Sequence, residues 1–352
     1  MNRGLGARFF ALVEEMAPAN FAMVMSTGII SVALRILGCP RGAVLLYGVN
    51  LVMYALLWGL LLLRIVRYPG RVVRDFASHA RGPGFLTLVA GTCILGTQSA
   101  VLAENFTLAA WLFWLGAGCW AFILWGVFLA IFTGSHKPTL ACGINGAWLV
   151  ATVSTQSLVI LGATLAAPLG WNAEIVWFCF CALFMLGIVL YIFVITGIFH
   201  RFCFADLEAA ELDPAYWINA SAAAITTLAG ATLMLKAGAA PLLGRLLPYI
   251  TGVTLLAWAT ASWWVPMLIL LGIWRHGVKK YPFVYTPAYW GMVFPLGMYT
   301  ACTAALSLAY DLAPLMLVPR IFIVPALAAW GITLAGMLRS RGRALLAGTG
   351  RG

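Results

Sequence analysis

The chain has 352 residues, of which 63% are apolar and 9% are Asp, Glu, Lys or Arg, whereas a soluble globular chain carries roughly 25% charged residues. So few charges cannot clothe a water-facing surface, so a soluble fold is excluded and the composition is that of a polytopic membrane protein. The net charge of +11 does not indicate a nucleic-acid partner, because the basic residues lie in short segments between apolar runs and form no aromatic-interleaved basic face.

The chain begins with a segment, 1–17, in which Phe9, Leu12, Val13 and Met16 fall at helical spacing. That spacing predicts a short helix lying in the membrane interface. Ten apolar runs of about 20 residues follow, each long enough to cross a bilayer as a helix. They lie at 18–37, 42–63, 84–103, 107–132, 143–166, 173–199, 216–236, 247–273, 287–309 and 313–338. The first run is too long for a cleaved leader, and Glu14 and Glu15 stand where a leader would be basic. The expected organisation is a cytoplasmic segment 1–17, a membrane domain 18–338 and a basic cytoplasmic tail 339–352.

Orientation follows from the basic residues. Sixteen Lys and Arg lie in the N-terminal segment, in the loops after spans 2, 4, 6 and 8, and in the tail. The opposite side holds only Arg35, Arg41, Lys236 and Arg245, with Arg320 inside the last span. This bias predicts cytoplasmic termini and insertion in the plasma (inner) membrane. For Arg320, snorkelling to the outer interface is the simpler reading, and an anion site the other. All four His, at 79, 136, 200 and 276, fall on the cytoplasmic side. Their titration near neutrality allows a pH sensor, but interfacial anchoring is the simpler reading.

Odd and even spans differ in composition. The odd spans contain 24 Ser, Thr, Asn and Gln residues and the even spans eight, while 12 of the 15 Trp lie in or beside even spans. Bulky aromatics suit lipid and its interface, whereas small polar side chains suit helix contacts or a wet cavity. The pattern predicts an all-α integral membrane fold: ten transmembrane helices as five helical hairpins around a central pore, odd helices inside and even helices outside.

A repeat marks the inner spans. Asn20 precedes Thr27 by seven residues, Asn145 precedes Thr152, and Asn219 precedes Thr226. Seven residues is nearly two turns, so each pair shares a helix face. Ser31 and Gln156 extend these stripes, and span 3 offers Gly91 and Thr92. In span 9, Trp290, Phe294, Gly297 and Ala301 form one stripe, and Pro295 removes a backbone hydrogen bond and predicts a kink. Two readings remain open for the polar residues: pore lining, or hydrogen-bonded glue between helices. Phe294 is likewise either a constriction or a packed ring.

Several chemistries are disfavoured. No Asp or Glu lies near the centre of a span, which argues against a cation pathway or a carboxylate proton relay. The eight Cys are scattered, and Cys179 and Cys181, two apart on a helix, point to different faces, so no metal site is expected. With no His inside the spans and no phosphate-binding loop, no haem or other cofactor is expected. Ser26 and Ser154 have no evident base partner, which disfavours an enzyme.

Three motifs carry a resemblance. They are Pro18-Ala-Asn-Phe-Ala-Met-Val-Met-Ser-Thr-Gly28, Gly143-Ile-Asn-Gly-Ala-Trp148 and Pro287-Ala-Tyr-Trp-Gly-Met-Val-Phe-Pro295, with Tyr216-Trp-Ile-Asn219 as a fourth, shorter one. In this order they resemble the tellurite-resistance/dicarboxylate transporter family, which includes bacterial TehA proteins, malate permeases, sulfite efflux pumps and slow anion channels. The resemblance implies five hairpins around a pore, a homotrimer, and a phenylalanine gate that corresponds to Phe294. It implies a channel or transporter for small anions, with C4-dicarboxylates such as malate the expected substrate. A sulfite or other inorganic-anion exporter and a tellurite-resistance factor are alternatives on the same fold, and a membrane-embedded enzyme is the alternative from another class.

Overall fold

The computed structural model describes residues 2–346, with side-chain surroundings given for 6–343. The end of the basic tail, Arg351 included, lies outside the described residues. Every regular element described is helical, as expected where hydrocarbon leaves backbone groups no water to bond. In chain order the helices begin with α1 (Asn2–Glu14), α2 (Ala22–Ile36), α3 (Pro40–Arg67) and α4 (Pro69–Phe76). Next come α5 (Leu86–Ala103), α6 (Phe106–Thr133), α7 (Leu140–Gly143), α8 (Val150–Ala166) and α9 (Glu174–Phe204). The last are α10 (Ile218–Leu235), α11 (Pro241–Ile273), α12 (Trp290–Ala309) and α13 (Leu317–Leu346). Among the described residues ten helical spans are long and apolar enough to cross a membrane, and they coincide with the ten expected runs.

Burial divides them as composition does. In the most apolar 18-residue stretch of each span, 78–94% of residues are buried in the odd spans and 11–28% in the even ones. The inner helices are α2, α5, α8, α10 and α12. Each packs against the next in chain order and α12 packs back against α2, so the five close a ring. Each also packs against the outer helix that follows it in the chain.

Every inner helix opens with a 3₁₀ turn: Pro18–Phe21, Gly82–Phe85, Gly146–Leu149, Pro214–Trp217 and Pro287–Tyr289. Proline suits such a start, since its fixed φ is helical and the missing N–H would have no intrahelical partner. Asn145 and Asp213 cap two of these turns, their side-chain oxygens accepting from the Ala147 and Ala215 N–H groups. Pro295 lies inside α12, where it removes the hydrogen bond to the Gly291 carbonyl, yet the helix continues through it.

The outer helices run past their apolar stretches. Arg64 and Arg201, which end the hydropathic signal of α3 and α9, stay helical and buried because partners wait for them. Arg64 pairs with Asp75 of α4 at 2.6 Å, and Arg201 pairs with Glu211 at 3.2 Å and donates to the Ile144 carbonyl. A buried guanidinium is tolerable only when paired in this way. Short α4, which hydropathy did not reveal, supplies Asp75 and an Arg71–Glu14 pair that ties it to α1.

Candidate functional site

Two cavities lie on the axis of the inner ring, and all five inner helices line each of them. The first, of about 300 Å³, sits at the N-terminal ends of these helices and is bordered by Ala22, Thr87, Val150, Ile218 and Gly291. The second, of about 240 Å³, lies further along and is bordered by Ile29, Ile94, Ser157, Ile225 and Met298. In every helix the two lining residues are seven positions apart, so the same face looks inward at both levels. The layer between them falls three or four residues beyond the first cavity. There α12 contributes Phe294, which is 1% exposed. On the other helices those positions are Met25 and Ser26, Ala90 and Gly91, Val153 and Ser154, and Ser221 and Ala222, all buried. Phe294 is the largest side chain of the layer.

The register has a simple origin. The helix residues bordering the first cavity stand four positions after Pro18, Pro83, Gly146, Pro214 and Pro287, which are the first or, for Pro83, the second residue of the 3₁₀ turns. One such start, Pro-Ala-Tyr-Trp, occurs twice, at 214–217 and 287–290, and Pro18-Ala-Asn-Phe is close to it. This repeat was the available signal for the axis; the Asn–Thr stripe marks another face.

None of the residues expected to line a pore borders these two cavities. Thr27 accepts from Trp330 Nε1 of α13 at 2.9 Å, and Ser31 donates to the Ala43 carbonyl of α3 at 2.7 Å. Thr92 meets the Tyr54 hydroxyl of α3 at 3.0 Å, and Gln156 donates to the Phe184 carbonyl of α9 at 3.0 Å. Asn145 is a cap, as above. A Cβ on Gly91 would lie 3.3 Å from the Phe21 carbonyl oxygen, and one on Gly297 would lie 2.7 Å from Ile30, so both glycines face α2 or the turn before it. Thr226 bonds its own helix at the Ala222 carbonyl, and Ala301 is fully buried. Thr152 and Asn219 are also fully buried, with the Thr152 hydroxyl and both Asn219 amide atoms unpartnered. Asn20 and Trp290 border a third cavity, outside the ring. The reason is geometric: Thr27 stands about 140° around α2 from Ala22, so the hydroxyl reaches the outer helices. Of the two readings left open by sequence, the contacts of Thr27, Ser31, Thr92 and Gln156 fit glue.

The partners on the outer helices carry little sequence signal. Asn50, the one Asn within an even span, donates to Gln98 Oε1 of α5 at 2.7 Å and is fully buried. Trp120 and Trp258 donate to Thr155 and Thr303 in the same way. Arg320 is exposed on α13, as snorkelling requires.

Electrostatics distinguishes the ends of the axis. All five inner helices point their N-termini at the first cavity, where their dipoles converge as partial positive charge. The one charged residue bordering that cavity is Asp213, which is exposed and caps the turn before α10. Among the described residues, none that is charged borders the second cavity. Residues 15–338 match the SLAC1 family, the voltage-dependent anion channels. The chain belongs to that family. It is 36% identical over 149 residues to an uncharacterized membrane protein of Mycobacterium tuberculosis, covering 42% of this chain and 75% of that one. Two uncharacterized transporters of Methanocaldococcus jannaschii are similar over more of their length, at 23% and 21% identity, covering 83% and 82% of this chain and 84% and 83% of theirs. The family is one of anion channels and transporters in membranes, and the match takes in the ring, both axial cavities and Phe294.

Proposed function

We infer that small anions cross along the axis of the inner ring, entering the first cavity and passing Phe294 to the second. The observation that carries this reading is the pair of axial cavities, lined seven residues apart on all five helices, with one aromatic ring in the buried layer between them. The converging helix N-termini favour an anion in the first cavity, and Phe294 is the gate, a dry constriction that excludes hydrated ions. Among the described residues no buried carboxylate borders either axial cavity, so movement is passive, with protons crossing only as part of a protonated substrate. C4-dicarboxylates such as malate are the proposed substrate class, with sulfite or another inorganic anion as the rival. Proteoliposome flux measured with malate, sulfite, chloride and nitrate tests the reading. Anion movement without proton uptake for the non-protonatable ions is expected; no movement of any anion would remove the transport function. We also propose a homotrimer with cytoplasmic termini in the plasma membrane, which mass measurement in detergent and protease access to either terminus in oriented vesicles test.

Asp213→Asn keeps the cap, since Asn serves as well as Asp at that position, and removes the one charge that borders the first cavity. Anion flux is expected to rise at low ionic strength and to converge with the unsubstituted protein near 1 M salt, where the Debye length falls to about 3 Å. A salt-independent change would place Asp213 off the anion path.

A further inference from the structure

A third cavity, of about 440 Å³, lies outside the ring between α1, α3, the start of α12 and the end of α13. Its walls are apolar, with Val13 from α1, Leu57 from α3 and Met337 from α13 among them. Leu56 and Leu338 also border it and are 62% and 61% exposed, so the cavity opens towards the surface that faces lipid. One end is polar. Arg341, which forms no ion pair among those described, stands there with Tyr285 and Trp290. The Tyr285 ring rests on Gly336, where a Cβ would lie 3.2 Å away. Trp290 is 2% exposed, and its Nε1 lacks a hydrogen-bond acceptor despite the nearby phenol. A buried donor without an acceptor costs free energy that a ligand oxygen would recover.

An apolar slot that opens to the bilayer and ends in a cation and an orphaned N–H fits a ligand with a tail and an anionic head. We propose that this cavity holds one acyl chain of an anionic phospholipid, its phosphate at Arg341 and within reach of Trp290 and Tyr285. A free inorganic anion would leave the slot empty. The flank of a second copy of the chain would bring no anionic group to Arg341 unless an acidic side chain happened to project there. The cavity shares Pro287 with the first axial cavity, but Arg341, Tyr285 and Trp290 border neither axial cavity.

The test is lipid retention. The full chain is reconstituted in nanodiscs of phosphatidylcholine with an equal share of phosphatidylglycerol, extracted mildly, and the bound lipid is counted by native mass spectrometry. Phosphatidylglycerol is expected to be retained over phosphatidylcholine on the order of fivefold, the preference one basic residue near a membrane surface confers. Arg341→Gln should bring the ratio to about one, and Leu57→Trp, which fills the slot, should abolish retention of either lipid. Arg343→Gln, on the same tail but away from the cavity, should leave the preference intact. The proposal is overturned if Arg341→Gln keeps the preference, if Arg343→Gln loses it equally, or if glycerol phosphate, which has no tail, competes as well as the lipid. It is also overturned if cross-linking shows the mouth at Leu338 covered by a second copy. Arg341→Gln removes only a partly exposed head group, so it stays informative if Leu57→Trp fails to fold.

Discussion

Phe294→Ala is expected to raise anion flux on the order of tenfold or more. Barriers set rates exponentially, and removing about 1.4 kcal/mol from a dry constriction already multiplies passage by ten. The ring is the largest side chain in the buried layer between the axial cavities, and on the gate reading its loss joins volumes of about 300 and 240 Å³. The small or aliphatic side chains at the same level on the other four helices cannot refill the gap without moving the ring of helices.

The competing account is that Phe294 merely packs. In that case truncation costs about 3–5 kcal/mol, as for other large-to-small core substitutions, and conductance does not rise. Phe184 provides the comparison: it is also fully buried, but on outer helix α9. Phe184→Ala should lower the thermal midpoint with no gain in flux. Phe294→Ala should lower it less, because the vacated space is continuous with cavities that admit water. Flux in liposomes and thermal midpoints of the two purified variants decide the matter. A destabilised Phe294→Ala protein with unchanged flux would remove the gate.

The spans were legible because hydrocarbon imposes both length and composition, and the division into inner and outer helices because lipid rejects Ser, Thr, Asn and Gln while tolerating Trp. Which face of an inner helix looks to the axis was not legible from polarity. An inner helix is buried on every side, so a hydroxyl such as Thr27 needs a partner wherever it points and finds it in Trp330 of the outer layer. The axial residues mix apolar ones such as Ala22, Ile29, Ile94 and Gly291 with polar ones such as Thr87 and Ser157, so polarity does not mark the axial face. The gate reading of Phe294 comes from the resemblance carried by the Pro287-Ala-Tyr-Trp-Gly-Met-Val-Phe-Pro295 motif, while the polarity of its own stripe says little. The buried Arg64 and Arg201 were misleading for the opposite reason: hydropathy ends a span at a charge, but Asp75 and Glu211 let the helix continue.

Gly146→Ala is expected to be among the most damaging single-methyl changes in the chain. Four of the five inner helices have a proline four residues before their first axial residue, and α8 has Gly146 there instead. The neighbouring turn explains why: a Cβ at Gly146 would lie 2.1 Å from the Ala215 carbonyl oxygen and 2.8 Å from the Tyr216 Cα. Both are backbone atoms of the 3₁₀ turn that opens α10, so no side chain can rotate away, and α8 and α10 must separate at the mouth of the first cavity. Overpacking a buried site costs about 1–3 kcal/mol even where side chains can adjust, so a loss at or above the top of that range is expected. Gly118→Ala on outer helix α6 is the control, since nothing lies within 4 Å of its Cβ position. That change should be neutral or slightly stabilising, because Ala is favoured over Gly inside a helix by about 1 kcal/mol. Thermal unfolding of both variants in the same detergent reads the difference directly. Equal midpoints for Gly146→Ala and Gly118→Ala would mean that the opening turns of α8 and α10 do not meet backbone to backbone.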